Sequence, residues 1–569
     1  MEAHQMIAKG CTFSVLDRDA HISQLKDQHW DLIVIGGGVT GCGIALDAAA
    51  RGLKTVLLEK EDFASGTSSK STKLIHGGLR YLKQLDIGLV RETGTERAIV
   101  HRLAPHLVIP EKMLLPLTDG GTYGKLGTSF GLWVYDLLAG VKPEDQRIML
   151  NKQEALQKEP LLNPDTLRGG GYYAEYRTDD ARLTLELAKA ASAYGALAMN
   201  YMEVDDFLTG KDGHIQGIQA TDKLSGETLS LSAHQVVSAG GPWVDGIRKK
   251  AAPLGTKHLQ LTKGIHLVFP HHVLPVRQSL YFDVPDGRMV FAIPRGKVTY
   301  VGTTDTFYSG NLDRVLVTRN DADYLVSAVN SVFPSVQVGM SDIVSSWAGL
   351  RPLIHQDGKS PSELSRKDEV FTSPNGLISI AGGKLTGYRK MAKKVVDRVI
   401  KTITKKSGIS FSPCKTHTIK LTPEPFSSAK EVEAYTEELR KKLAGCGLHS
   451  DHADYLVGNY GRQSAAIVAD LQLSVSASPE IALACSEVRF GVKKEAVARA
   501  EDFFVRRTGR LFFDIDGIEE VRRPVLDEMQ TLLSWSADRR RAEEGLLDQA
   551  LHDATHFAAQ KTVLNPTPK

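Results

Sequence analysis

Cysteine is scarce in this chain: five occur in 569 residues, at Cys11, Cys42, Cys414, Cys446 and Cys485, and no two form a C-x-x-C pair. That spacing excludes a disulfide framework and a zinc cluster and points to a reducing compartment, so no metal site is expected. Long apolar runs are missing too, since nothing approaches the ~20 residues needed to span a bilayer. His4, Lys9, Asp17, Arg18, Asp19 and His21 interrupt the first thirty residues, and no secretory signal is expected there. Excess charge is also absent. Lys and Arg number 70 against 67 Asp and Glu, and the resulting +3 is too slight to imply nucleic acid. No period repeats, and no segment is low in complexity. A cytoplasmic protein of about two or three domains is expected, able to sit peripherally on the inner face of the cell membrane.

What the chain does contain is a complete nucleotide cradle. The apolar run Asp31-Leu32-Ile33-Val34-Ile35 reads as a strand, and Gly36, Gly38 and Gly41 follow at G-x-G-x-x-G spacing. The first glycine allows a tight turn, the second lets backbone N–H groups reach a pyrophosphate, and the third lets a helix over 41–50 lie close to the sheet. A second strand over 54–58 ends in Glu59, near the ~20-residue offset expected for an acid on a ribose hydroxyl. An adenine dinucleotide without a 2′-phosphate is the expected ligand.

The polar loop over 65–73 carries Ser65, Thr67, Ser68, Ser69, Ser71 and Thr72, hydroxyls suited to a long phosphate-containing ligand. It turns inward through Leu74-Ile75-His76-Gly77-Gly78-Leu79-Arg80-Tyr81. A helix is expected over 179–194, capped by Asp179 or Asp180, then strands over 216–220 and 229–238, the latter ending on Ala239-Gly240-Gly241-Pro242-Trp243. Close-set strands over 264–269, 279–283, 289–294 and 298–302 lack intervening helices and read as an inserted antiparallel domain. The chain returns through a strand ending at Ala381, then Gly382-Gly383-Lys384-Leu385-Thr386 and a helix over 386–405. Such a third return suits FAD in an extended pose better than NAD.

Past a linker near Pro413 to Pro425, helices are expected over 432–443, 451–460, 479–484, 494–507 and 527–535. The basic clusters Arg506-Arg507 with Arg510, and Arg539-Arg540-Arg541, read as solvated faces or helix ends, with anionic lipid as a lesser reading. The fold class is α/β. A Rossmann-like FAD-binding domain (31–90, 170–260 and 370–405) carries an inserted antiparallel-sheet substrate domain (91–169 and 261–369), after an N-terminal extension (1–30) and before an all-α domain (425–569).

For chemistry, Lys384 and the glycine turn before it are placed to stabilise a reduced flavin, unless Lys384 is a surface cap. Arg80 and Arg351 read as anion clamps, since a guanidinium is a planar fork that stays charged; either alone would as readily be a structural ion pair. His266 is the candidate proton acceptor and equally a satisfied core histidine. Thr303, Thr304 and Asp305 offer groups to a polyol or form a strand-end turn.

Five segments in order carry a resemblance: 67–82, Lys263-Gly264-Ile265-His266, Val301-Gly302-Thr303-Thr304-Asp305, Ser346-Trp347-Ala348-Gly349-Leu350-Arg351-Pro352, and 381–390. With Asp502 to Arg510 at the helical end, the chain resembles the FAD-dependent glycerol-3-phosphate dehydrogenases of Gram-positive bacilli. The resemblance implies oxidation of sn-glycerol 3-phosphate to dihydroxyacetone phosphate, with electrons passed from FAD to membrane quinone through a peripheral contact. It puts Arg80, Tyr81, Lys263, His266, Thr304, Arg351 and Lys384 at the substrate end. FAD contacts are then expected from Gly36, Gly38, Gly41, Glu59 and Lys60, from Thr67, Ser68, Ser69, Lys73, Leu74, His76 and Gly77, and from Gly240, Gly382, Gly383, Lys384, Leu385 and Thr386. Rival readings are a glycerol-3-phosphate oxidase that makes peroxide and a non-catalytic FAD-binding regulator. Oligomeric state is left open, a homodimer included.

Overall fold

Trp30–Ile35 is apolar at nearly every position and buried on both faces, the pattern of a strand inside a parallel sheet. The computed structural model, which describes residues 12–76, 87–119, 146–253, 257–355, 368–382, 384–474 and 478–559, shows it paired in parallel with Thr55–Leu58 and Thr228–Ser238. Leu197–Met199 and Ile378–Ala381 extend this sheet in parallel, and Glu369–Thr372 adds an antiparallel edge. Helices Val39–Ala50, Asp180–Ala193 and Tyr388–Ser407 cover one face through Ile44, Leu183 and Val395. The other face receives Arg18–Asp27, whose Ile22 and Leu25 join Trp30 and Ile33 in one core. Arg18 fixes that helix by pairing with Asp222 at 2.6 Å.

The second sheet is centred on Leu259–Pro270, which is antiparallel to Val298–Gly302 on one side and Ser345–Ile354 on the other. It continues through Met289–Arg295, Ser279–Asp283, Ile109–Thr118, Leu167–Arg177 and Leu74–Ile75. Helix Arg319–Val332 packs one face with Leu325 and Val329 against Leu267 and Val301, while the C-terminal helices cover the other. The two sheets exchange chain: Leu74–Ile75 and Leu167–Arg177 lie in the second sheet, and helix Ile87–Leu103 sends Val100 and Leu103 into the core of the first.

The C-terminal helices include Ala429–Ala444, Asp451–Tyr460, Pro479–Lys494, Ile515–Leu533 and Ala537–Thr555. Two expectations are corrected here. No single helix covers 494–507: Ala496 takes a left-handed φ of 52°, Glu495 turns inward to Arg182 at 2.7 Å, and the chain resumes as the π-helical turn Asp502–Arg507. Arg506, Arg507 and Arg510 do not form a solvated face. They are buried and paired with Asp62, Asp502 and Glu487, because a guanidinium leaves water only when its donors are met. Among the described residues no helix is long and apolar enough to cross a membrane.

Candidate functional site

A cleft of about 340 Å³ opens beyond the carboxyl ends of Trp30–Ile35 and Thr228–Ser238, where ligands sit in open α/β sheets. Gly36, Gly38, Glu59, Lys60, Thr67, Ser68, Gly240, Gly382 and Leu385 all line it. Gly36 adopts a φ of 109°, and a β-carbon on Gly41 would fall 1.8 Å from the Gly36 carbonyl oxygen, so the turn and helix can close only on glycine. The Val39 N–H, at the helix N-terminus, donates to Ser68 Oγ at 3.0 Å. Glu59 is anchored by backbone donors, Gly37 N–H at 2.6 Å and Glu61 N–H at 3.0 Å, and burial raises its pKa. Ser69 Oγ is buried with no hydrogen-bond partner among the described residues, and Ser69 is not among the residues that line the cleft. Helix N-terminus, fixed acid and the close-packed glycine turn together fit an extended dinucleotide.

The loop over 65–73 joins this cleft to the second sheet. Thr67 Oγ1 donates to the Leu350 carbonyl at 2.7 Å, and Gly349 lies so close that a β-carbon there would meet the Lys70 carbonyl oxygen at 2.6 Å. On the same sheet face, strand register aligns His266 with Trp347 and Thr262 with Arg351. His266 is buried, stacks on Trp347 at 4.6 Å and 13°, and places Nε2 3.0 Å from Thr72 Oγ1. Its Nδ1 has no partner among the described residues. Burial, helped by Arg351 and Lys73, pushes its pKa well below the ordinary value and keeps the ring neutral. Arg351 donates to the Thr304 carbonyl at 3.1 Å, Thr303 Oγ1 at 2.8 Å and Asp305 Oδ1 at 3.4 Å. The return segment closes the arrangement: Thr386 Oγ1 donates to the His76 carbonyl at 3.2 Å, and half-buried Lys384 precedes the turn Leu385–Gly387. Leu74 begins the short strand just before His76.

Three residues of the expected site are engaged within the protein. Lys73 directs its ammonium to Asp180 at 2.5 Å and so ties the loop to the start of Asp180–Ala193 instead of facing the cleft. Lys263 is held by Asp321 at 2.5 Å, inside the cap of Arg319–Val332. Thr304 Oγ1 accepts from Ile265 N–H at 3.2 Å, so it braces the strand. Arg80, Tyr81, Gly77 and Gly383 lie outside the described residues. The cleft also uses Met202, Val204, Trp243 and Ile247. Trp243 was signalled by the Gly240-Gly241-Pro242 run before it, whereas Met202 and Val204 sit at the start of a strand with no local mark.

Residues 31–389 match the family model described as FAD dependent oxidoreductase, and 414–540 match the C-terminal domain of alpha-glycerophosphate oxidase. The chain is 47% identical over 545 residues to the aerobic glycerol-3-phosphate dehydrogenase of Bacillus subtilis (strain 168), covering 95% of this chain and 98% of that one. Identity to the enzyme of the same name from Staphylococcus aureus (strain USA300) is 46% over 552 residues, 97% and 99% of the two chains. The solved glycerol-3-phosphate dehydrogenase from Bacillus halodurans, complexed with FAD, superposes with a TM-score of 0.81 at 41% identity, over 96% of this chain and 100% of that one. With L-alpha-glycerophosphate oxidase from Mycoplasma pneumoniae, TM-score 0.53 at 19% identity, the likeness is of fold alone.

Proposed function

We propose a mechanism for a chain that belongs to the FAD-dependent oxidoreductase family and, within it, to the glycerol-3-phosphate dehydrogenases. It oxidises sn-glycerol 3-phosphate to dihydroxyacetone phosphate and delivers the electrons to a membrane quinone through a surface contact with the bilayer. FAD, when bound, supplies the hydride acceptor.

Glu59 would hold the adenosine ribose, and the N-terminus of Val39–Ala50 would face the pyrophosphate. The observation that carries the substrate reading is the sheet face bearing His266 and Arg351, which touches the cofactor loop where Gly349 meets Lys70. In the tautomer whose Nε2–H donates to Thr72 Oγ1, the neutral His266 keeps a lone pair on Nδ1 to accept the C2 hydroxyl proton. Arg351, with Arg80, grips the phosphate by its planar fork. Lys384 steadies negative charge at the return segment.

Mixing the protein with sn-glycerol 3-phosphate without oxygen should bleach its flavin absorbance. Turnover with a quinone analogue should then exceed turnover with oxygen. A flavin that stays oxidised would reject the substrate, and faster turnover with oxygen would make the protein an oxidase.

A further inference from the structure

We infer that the C-terminal domain holds FAD indirectly: Arg506 and Arg507 fix Asp62, and Asp62 fixes the turn that carries Glu59. The inference rests on the cofactor reading above and assigns Asp62 as a positioning residue. Asp62 is fully buried, and both of its oxygens are occupied. Arg506 Nε at 2.6 Å and Arg507 Nη1 at 2.7 Å donate to Oδ2, while Arg507 Nη2 at 2.9 Å and Asn200 Nδ2 at 3.0 Å donate to Oδ1. The two arginines are themselves held. Arg506 reaches Glu501 and Asp502 at 2.8 Å each, and Arg507 reaches the Glu495 carbonyl at 2.8 Å.

From Asp62 the constraint passes along a few covalent and hydrogen bonds. Ser65 N–H donates to the Asp62 carbonyl at 3.1 Å, Ala64 N–H to the Gly37 carbonyl at 3.1 Å, and both Glu59 and Ser65 line the cleft. A second tie reaches the neighbouring wall. Tyr201 donates through its hydroxyl to Asp502 Oδ1 at 2.5 Å and through its N–H to the Glu61 carbonyl at 2.8 Å, beside Met202 and Glu203 of the lining. The π-helical turn Asp502–Arg507 thus grips both walls at the end of the cleft where Glu59 sits. Two arginines converging on one dry carboxylate carry a large desolvation cost, and losing the Arg507 fork leaves Asp62 buried with two of its four donors gone. Relief comes from moving the turn toward water, which moves Glu59.

The test follows FAD release from diluted full-length holoenzyme by flavin fluorescence, then rebinding in competition with ADP and with FMN, which probe the two halves of the cofactor. Asp62→Asn and Arg507→Lys should weaken FAD and ADP by about tenfold or more and leave FMN within about twofold. Arg510→Lys, which alters a buried pair with Glu487 away from the turn, should leave all three within about twofold. If Asp62→Asn does not fold, Arg507→Lys decides the matter, because it keeps the charge and loses only the fork. Unchanged ADP binding, equal losses for ADP and FMN, or an Arg510→Lys loss matching that of Arg507→Lys would overturn the inference. A wild-type protein that takes up no FAD would overturn the cofactor reading with it.

Discussion

Replacing Gly264 by alanine would displace Arg351 without altering any charge. A β-carbon at that position would lie 2.3 Å from Arg351 Nη2, 2.6 Å from Cζ and 2.4 Å from Thr303 Oγ1. Ordinary contact between carbon and its neighbours needs roughly 3.5 Å, so the guanidinium must retreat by about 1 Å. The backbone is spared, because Gly264 sits in a regular antiparallel strand opposite Gly349 and alanine accepts that conformation. The retreat strains the bonds from Arg351 to Thr303, Thr304 and Asp305 that aim the fork. A misplacement of about 1 Å at a substrate-positioning group costs on the order of 10²-fold in rate, about 2.7 kcal/mol of transition-state stabilisation. Stopped-flow reduction of the flavin by sn-glycerol 3-phosphate under argon measures it. The expected result is kcat/KM lower by about 10²-fold, with FAD content and Tm near those of the wild type. A variant that keeps its FAD and stays within about threefold of wild-type kcat/KM would show that Arg351 does not meet the substrate.

Glu59→Gln places an amide nitrogen where a carboxylate accepts from Gly37 and Glu61, so FAD affinity should fall by about 10–100-fold in titrations of the full-length protein. Unaltered affinity would remove Glu59 from the cofactor site. His266→Ala should slow flavin reduction by about 10²–10⁴-fold while leaving substrate affinity nearly intact, and an unchanged reduction rate would exclude the imidazole as proton acceptor. His106 is buried against the C-terminal domain, and burial, with Arg182 and Lys189 adding, lowers its pKa to about 3. The folded protein holds it neutral while the unfolded chain protonates it below about 6.5, so the stability it permits is complete above that pH and is lost as pH falls. The cost is about 2 kcal/mol at pH 5. In chemical denaturation at pH 8 and pH 5, His106→Leu should narrow the difference between the two by about that amount, and an unchanged difference would refute the assignment.

The nucleotide cradle was legible because its logic is local. Gly36, Gly38 and Gly41 meet within one turn and helix start, and Glu59 follows one strand later, so spacing along the chain stands in for distance in space. Helix Asp451–Tyr460 and strand Ser279–Asp283 were readable for the same reason, each having a clean period and clear ends. The side chains of Lys73 and Lys263 were not, since a lysine beside ligand-type residues has the same sequence whether its ammonium faces a cleft or an aspartate. Their partners, Asp180 and Asp321, are 107 and 58 residues away. Arg506 and Arg507 show the limit most clearly. A run of basic residues defaults to a solvated face, and the carboxylate that buries this one lies 444 and 445 residues upstream.

That distant carboxylate changes what the domains are for. The segment from Glu59 to Lys73 is held by all three bodies of the protein. Ser68 is bonded to the start of Val39–Ala50, Thr67 and Lys70 lie against Leu350 and Gly349 of the second sheet, and Asp62 is clamped by the C-terminal arginines. The C-terminal domain reaches the sheet face bearing His266 and Arg351 as well: Ser345 Oγ donates to the Phe512 carbonyl at 2.6 Å, and the Phe512 ring lies 5.1 Å from Trp347, on which His266 stacks. A chain ending before residue 414 would therefore expose Asp62 without its cations and Trp347 without its apolar backing. It should lose FAD and the seat of His266 together, rather than survive as a slower two-sheet enzyme.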